Sequence, residues 1–288
     1  MKRLCRSLRH SPVGIRILVM LLGVTLISAP LSVPLYLWEY SATNGQTVIW
    51  APLSLFGLFI LCLPRWMHQV HRCRQPWQTL GLSSGSTWWR SWSIAFLAGV
   101  LGVTLLYGLQ LALGWGAWAR SADISRRFFL EGLLVGFGVG FAEELIFRGW
   151  LLYELEKTYS AMTALWANAV IFAIAHFLRP LDVVFATWPQ FVGLVLLGMA
   201  LVWARHIPLK RYGRKKTVTA LGPAAGLHGG LVFAYYQVDA NDLIISTQQV
   251  SEWVTGIGGN PLAGLLGIGF LGMISGITYS LSHRPIKN

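Results

Sequence analysis

Eight apolar runs, parted by short polar or basic stretches, set the pattern of this chain. They cover approximately 17–38, 48–63, 91–114, 128–154, 160–178, 191–204, 220–236 and 262–281. Most approach the roughly 20 residues that an α-helix needs to cross a bilayer. The second is expected to stop at Pro64, because proline offers no backbone N–H and clashes with the preceding turn. The second, sixth and seventh are short or glycine-rich. The first has a basic start, as a signal peptide does, but it exceeds the roughly 7–15 residues of a signal core. A retained first helix is therefore expected. The pattern predicts an all-α fold, a polytopic membrane bundle of about eight transmembrane helices.

Composition agrees with the pattern. Of the 288 residues 55% are hydrophobic and only 12% are charged, against about 25% charged in a soluble domain. The length suits a single membrane domain over 1–288. The formal charge of +12 reads differently once the cations are placed. Lys2, Arg3, Arg6, Arg9 and Arg16 precede the first run, Arg65, Arg72, Arg74 and Arg90 follow the second, and Arg205, Lys210, Arg211, Arg214, Lys215 and Lys216 follow the sixth. With eight spans these all fall on one side, together with Lys157, Arg284 and Lys287. The other side keeps Arg120, Arg126, Arg127 and Arg179. The positive-inside rule then places both termini in the cytoplasm. Topology and anionic lipid account for the basic loops, so the lipid bilayer is an expected partner and nucleic acid is not. The 237–260 stretch carries Asp239, Asp242 and Glu252 and no Lys or Arg. Cys5, Cys62 and Cys73 are odd in number, lack metal-type spacing and are expected to be reduced thiols.

The fourth run holds the unusual chemistry. Glu143, Glu144 and Arg148 lie inside it, where ionised groups cost several kcal/mol unless paired or wetted and so mark a site. Glu144 and Arg148 are four residues apart, hence neighbours on one helix face, and are expected to form a structural ion pair. Glu143 points about 100° away. A carboxylate without its own cation is the better candidate for a general base. Asn168, Phe172 and His176 lie on the fifth run and His228 on the seventh. From a turn near Thr158, Glu143 lies 15 residues back and His176 18 residues on, so their depths differ by only about 5 Å. His228 reaches that level only if its helix starts earlier or the hairpin protrudes. If the three converge, Glu143 can take a proton from water, His176 can orient that water and His228 can donate to the oxyanion. Zinc on Glu143, His176 and His228 is the alternative; no cofactor is favoured. Gly132, Gly136, Gly138 and Gly140 read as a close-packing face.

These residues resemble the CPBP family of intramembrane proteases, which includes CAAX prenyl endopeptidases and bacteriocin-processing or self-immunity proteins. The family's E-E-x-x-x-R reads Glu143-Glu144-Leu-Ile-Phe-Arg148, and its F-x-x-x-H reads Phe172-Ala-Ile-Ala-His176. Its H-x-x-x-N/D is matched in part, as His228-Gly-Gly-Leu-Val232. The resemblance implies a protease-like core at about 126–237 and an endopeptidase acting on a peptide or protein substrate. It also implies water activation by Glu143 and His176 and oxyanion stabilisation by His228, with family members described as glutamate proteases and as metalloproteases. Val232 departs from the pattern, since valine donates nothing, and Asn168, two turns before His176 and near the same face, is a candidate substitute donor. An alternative is a non-catalytic scaffold or immunity-type binder using the same cleft.

Overall fold

In a computed structural model, residues 7–45, 48–83, 85–119, 125–210 and 217–284 are described. Cys5 and the cations Lys2, Arg3, Arg6, Arg120, Arg211, Arg214, Lys215, Lys216 and Lys287 lie outside them. The chain is all-α and divides into two compact units, Met1–Thr79 and Leu80–Asn288.

The first unit is a hairpin of α1 (Val13–Ala42) and α2 (Trp50–His71), followed by the short α3 (Pro76–Thr79). Its loop is closed by Glu39 at the end of α1. The Glu39 carboxylate accepts the backbone N–H groups of Ile49 and Trp50 at 2.7 Å and of Ala51 at 3.1 Å. Those are orphan donors at the start of α2, where a negative charge also meets the positive end of the helix dipole. Pro64 does not stop α2, which continues through it to His71. One missing N–H is tolerated inside an apolar membrane-type helix. The stop comes at Arg72, which turns left-handed with φ 53°, while Cys73 N donates to Met67 O at 3.0 Å. The bond reaches one residue further back than the six-to-one closure of a Schellman end, and the left-handed residue makes the same reversal of the chain. Cys62 and Cys73 carry free thiols.

The second unit opens with α4 (Ser86–Ala112) and β1 (Gly116–Trp118). The acidic run is α5 (Arg126–Glu144), a π-helical turn (Leu145–Leu151) and α6 (Leu152–Glu156). Then come α7 (Ala161–His176), α8 (Leu181–Thr187) and α9 (Pro189–His206), and the two-residue pair β2 (Leu209–Lys210) and β3 (Thr217–Val218). The chain closes with α10 (Gly222–Ala240), β4 (Ile244–Ser246), α11 (Glu252–Thr255) and α12 (Leu265–Ser282). Serine hydroxyls cap two of the site helices, Ser125 accepting from Arg127 N and Ser160 from Thr163 N. The stretch after α10 holds a strand: β4 pairs antiparallel with β1 in the register Gly116↔Ser246.

Helix α10 is the centre of this unit, packed between α4 and α5, while α9 packs on α12 and α7. Glycine makes these contacts close. A Cβ on Gly136 or on Gly140 would come within 2.7 Å of a backbone oxygen of α10. Gly132 likewise meets α10 side chains, so three of the four expected packing glycines serve that purpose. Gly138 faces open space. Without a hydrophobic drive between helices in lipid, such backbone approach is what holds them together. Val103, Phe172, Leu201, Leu227, Leu231 and Leu271 form the apolar centre around α10.

Each of the eight expected runs contains helix. Among the described residues five helices are long and apolar enough to cross a membrane: α1, α2, α4, α9 and α12. The runs carrying the site, α5, α7 and α10, are not among them. Charged groups and glycines dilute the hydropathy of α5 and α10, α7 is apolar but only 16 residues long, and α10 is enclosed by protein over its first ten residues. The chain is an integral membrane protein.

Candidate active site

The π-helical turn begins immediately after Glu144. One extra residue per turn re-aims the side chains beyond it, and such turns are frequent at functional sites. Glu144 and Arg148 are both fully enclosed, and Arg148 Nη1 donates to Glu144 Oε1 at 2.8 Å. Arg148 Nη2 also donates to Gly198 O on α9 at 3.2 Å, and its guanidinium lies 4.3 Å from the centre of the Phe172 ring. The pair thus ties the acidic run to α7 and α9. Two charges removed from water need this density of partners.

Phe172 is completely buried and serves several neighbours. Its ring carries the Arg148 cation on one side and packs 4.4 Å, centre to centre, from the His176 imidazole. Its carbonyl accepts from His176 Nδ1 at 2.8 Å. A carbonyl only accepts, so that nitrogen carries the proton, and Nε2 is the atom turned toward α5. There it stands 3.5 Å from Glu143 Oε2. His228 is oriented the same way by a different partner, its Nδ1 donating to Glu144 Oε1 at 2.9 Å. Its Nε2 lies 4.0 Å from the same Glu143 oxygen.

Glu143 therefore faces two imidazoles, each fixed through its far nitrogen. Oε2 itself is buried and makes no hydrogen bond among the described residues, although the side chain as a whole is 30% exposed. His228 reaches this level from the second turn of α10, because that helix begins inside the unit, with Leu221 N bonded to Gly81 O. Asn168 is fully buried and donates from Nδ2 to Phe147 O at 2.8 Å, fastening α7 to the π-helical turn.

A cavity of about 190 Å³ adjoins the two histidines. Its walls include Phe172, His176, His228, Val232, Tyr235 and Asn260, and Glu143 is not among them. Tyr235 and Asn260 had no signal in the sequence: Tyr235 is one aromatic among many, and Asn260 lies in a loop far from any motif. Among the described residues no group of three or more His, Cys, Asp or Glu is arranged to hold a metal ion. Glu143, His176 and His228 do not form such a group in this arrangement.

Fold and site define the class: an all-α integral membrane protein whose helices bring two glutamates, an arginine and two histidines together beside a small cavity. Residues 125–233 match the family model described as Type II CAAX prenyl endopeptidase Rce1-like. The match starts at the cap of α5 and ends in α10, so it holds the acidic motif, both histidines and Val232. It covers well under half of the chain and is consistent with a CPBP-family protease. The chain matches no curated protein and no solved structure.

Proposed function

We propose that the chain is an intramembrane endopeptidase in which Glu143 and His176 activate water. The observation that carries this is Glu143 Oε2, a buried carboxylate oxygen that makes no hydrogen bond among the described residues, set 3.5 and 4.0 Å from two imidazole nitrogens. A water among these groups passes a proton to Glu143 while its oxygen attacks the peptide carbonyl carbon. His176 Nε2 orients that water. His228 donates from Nε2 to the resulting oxyanion when its ring carries both protons, the Glu144 carboxylate then facing the charge. As the C–N bond breaks, Glu143 returns the proton to the leaving nitrogen. Glu144, Arg148, Phe172 and Asn168 are positioning residues. We take 126–237 as the protease-like core of a single membrane domain of eight spans. We infer that both termini are cytoplasmic; a reporter fused after residue 288 and active only there tests this at the C-terminal side.

The test is cleavage of quenched fluorescent peptides by the full chain in proteoliposomes, with prenylated and unprenylated C-terminal cysteine peptides compared. Glu143→Gln and His176→Ala are expected to lose about 100-fold or more with unchanged thermal unfolding. If both cleave at the wild-type rate, the proposal is wrong. A chelator is expected to leave the rate unchanged; loss that zinc restores would place a metal on Glu143, His176 and His228.

Val232 favours a second reading. It lines the cavity beside His228 where the resembled family has a donor, as suits a binding protein that uses the same cleft without cleaving. In that case partner binding survives Glu143→Gln.

A further inference from the structure

The cavity beside the histidines has walls with hydrogen-bonding capacity left over. Much of its lining is apolar, from Leu194, Leu197, Leu231 and Leu271. Beyond the two imidazoles its polar wall residues are Arg179, Gln190, Tyr235 and Asn260, and among the described residues no Asp or Glu lines it. Tyr235 is committed, since its hydroxyl donates to Asp239 Oδ1 at 3.3 Å. The other three are not. Arg179 lies three residues past His176, beyond the end of α7, and its side chain makes no ion pair or hydrogen bond among the described residues. The Gln190 side chain, at the start of α9, has no hydrogen-bond partner among them either. Asn260, in the loop before α12, uses Oδ1 to accept from Leu262 N at 3.0 Å. That bond fixes the amide and leaves its Nδ2 hydrogens unspent. Three donor groups from three segments thus line one space that holds no carboxylate of its own. What they lack is an acceptor, and the acceptor that best fits a guanidinium is a carboxylate, which takes two parallel N–H bonds.

We propose that Arg179, with Gln190 and Asn260, selects peptides by a carboxylate placed close to the bond that is cut. Arg179 is a specificity-determining residue and takes no part in the bond chemistry. A cavity of about 190 Å³ has room for about two extended residues at roughly 3.5 Å each. The carboxylate therefore belongs to an Asp or Glu side chain near that bond, or to the C-terminus of a substrate cut close to its end. The apolar lining takes the aliphatic remainder in either case. The inference rests on the protease reading for the nearness to a cut bond; the carboxylate contact itself needs no cleavage.

Binding and cleavage are read separately to test it, with dye-labelled peptides of one apolar sequence and the full chain in detergent. One peptide ends in a free carboxylate and its twin in an amide. A second pair ends in an amide and carries a single Glu or a single Gln, moved through the sequence. Fluorescence anisotropy with the Glu143→Gln chain measures binding without consuming peptide. A carboxylate peptide is expected to bind about tenfold or more tighter than its neutral twin, and the pair that shows the difference names the source of the carboxylate. Arg179→Gln in that background should erase the difference and leave the neutral twins unchanged. Arg179 is exposed, so its replacement does not threaten the fold. Asn260→Asp keeps an acceptor for Leu262 N and loses the donor, and should weaken the carboxylate peptides alone. With Glu143 intact the same order should appear in kcat/KM, carried by KM. Equal binding of both pairs of twins, or a preference that survives Arg179→Gln, would overturn the proposal. A preference that Arg179→Gln removes, without cleavage by the Glu143-intact chain, would overturn the protease reading and leave the carboxylate contact standing.

Discussion

The acidic run carries two Glu–His pairs built to the same plan. Just before the π-helical turn, His176, the last residue of α7, donates from Nδ1 to the carbonyl one turn back and turns Nε2 to Glu143 at 3.5 Å. At the end of α6, His206, the last residue of α9, donates from Nδ1 to Val202 O at 2.8 Å and turns Nε2 to Glu156 at 2.9 Å. The second pair is closed at hydrogen-bond distance, with both side chains more exposed. The first is held apart, and a second imidazole stands over the same oxygen at 4.0 Å. A closed, exposed pair spends its hydrogen-bonding capacity on itself and serves as a clasp worth about 1 kcal/mol or less. An open pair keeps an oxygen and two nitrogens available to a third molecule. Local geometry alone does not make a histidine and a glutamate a site; what matters is what holds them short of each other. For Glu143 that is the set of fixed far nitrogens, His176 on Phe172 O and His228 on Glu144.

The comparison can be broken most forcefully at His176. His176→Ala is expected to reduce peptide cleavage about 100- to 10,000-fold, while His206→Ala leaves it near wild type. Equal losses would make the two pairs equivalent. Next in size is the enclosed ion pair behind the site. Arg148→Met strands Glu144 in a fully buried position and is expected to cost about 3–5 kcal/mol, read as thermal or denaturant unfolding in detergent. The double variant Glu144→Gln with Arg148→Met should cost less than Arg148→Met alone. Val232→Asn sharpens the comparison by adding a donor next to His228. It should raise cleavage by up to about 100-fold, the lower end of what one oxyanion donor contributes; no gain would place the second donor elsewhere. The smallest effect is the clasp itself. Glu156→Gln should lower stability by about 1 kcal/mol or less, and a larger drop would show that this end carries more than one exposed pair.

Legibility in the sequence followed the range of the interactions. The Glu144–Arg148 pair lies within one helical turn, so spacing alone places the two side chains together. Glu143 and His176 belong to consecutive apolar runs, and counting residues from the turn between them puts them at one level. His228 was harder. Its helix begins at Gly222 inside the unit, held by Gly81 O, and that start depends on packing that residue counts do not contain. The π-helical turn has no residue signature, and α2 shows that a single proline does not reveal whether a helix ends. The Glu39 cap joins a residue at one helix end to backbone groups 10 to 12 positions on, and hydropathy sees only the interruption. His206 and Glu156 are 50 residues apart in different helices, with no motif to pair them. The cavity beside the histidines was out of reach for the same reason, being walled by α7, α9, α10, α12 and the loop before it.

The central claim is that Glu143, and not simply any glutamate facing a histidine, activates water. The most direct measurement compares Glu143→Gln with Glu156→Gln on one peptide in the same proteoliposomes, with both variants first shown to unfold at the wild-type temperature or close to it. The account predicts that cleavage by Glu143→Gln falls about 100-fold or more and that Glu156→Gln stays close to wild type. Wild-type cleavage by Glu143→Gln, or an equal fall in both, would contradict it.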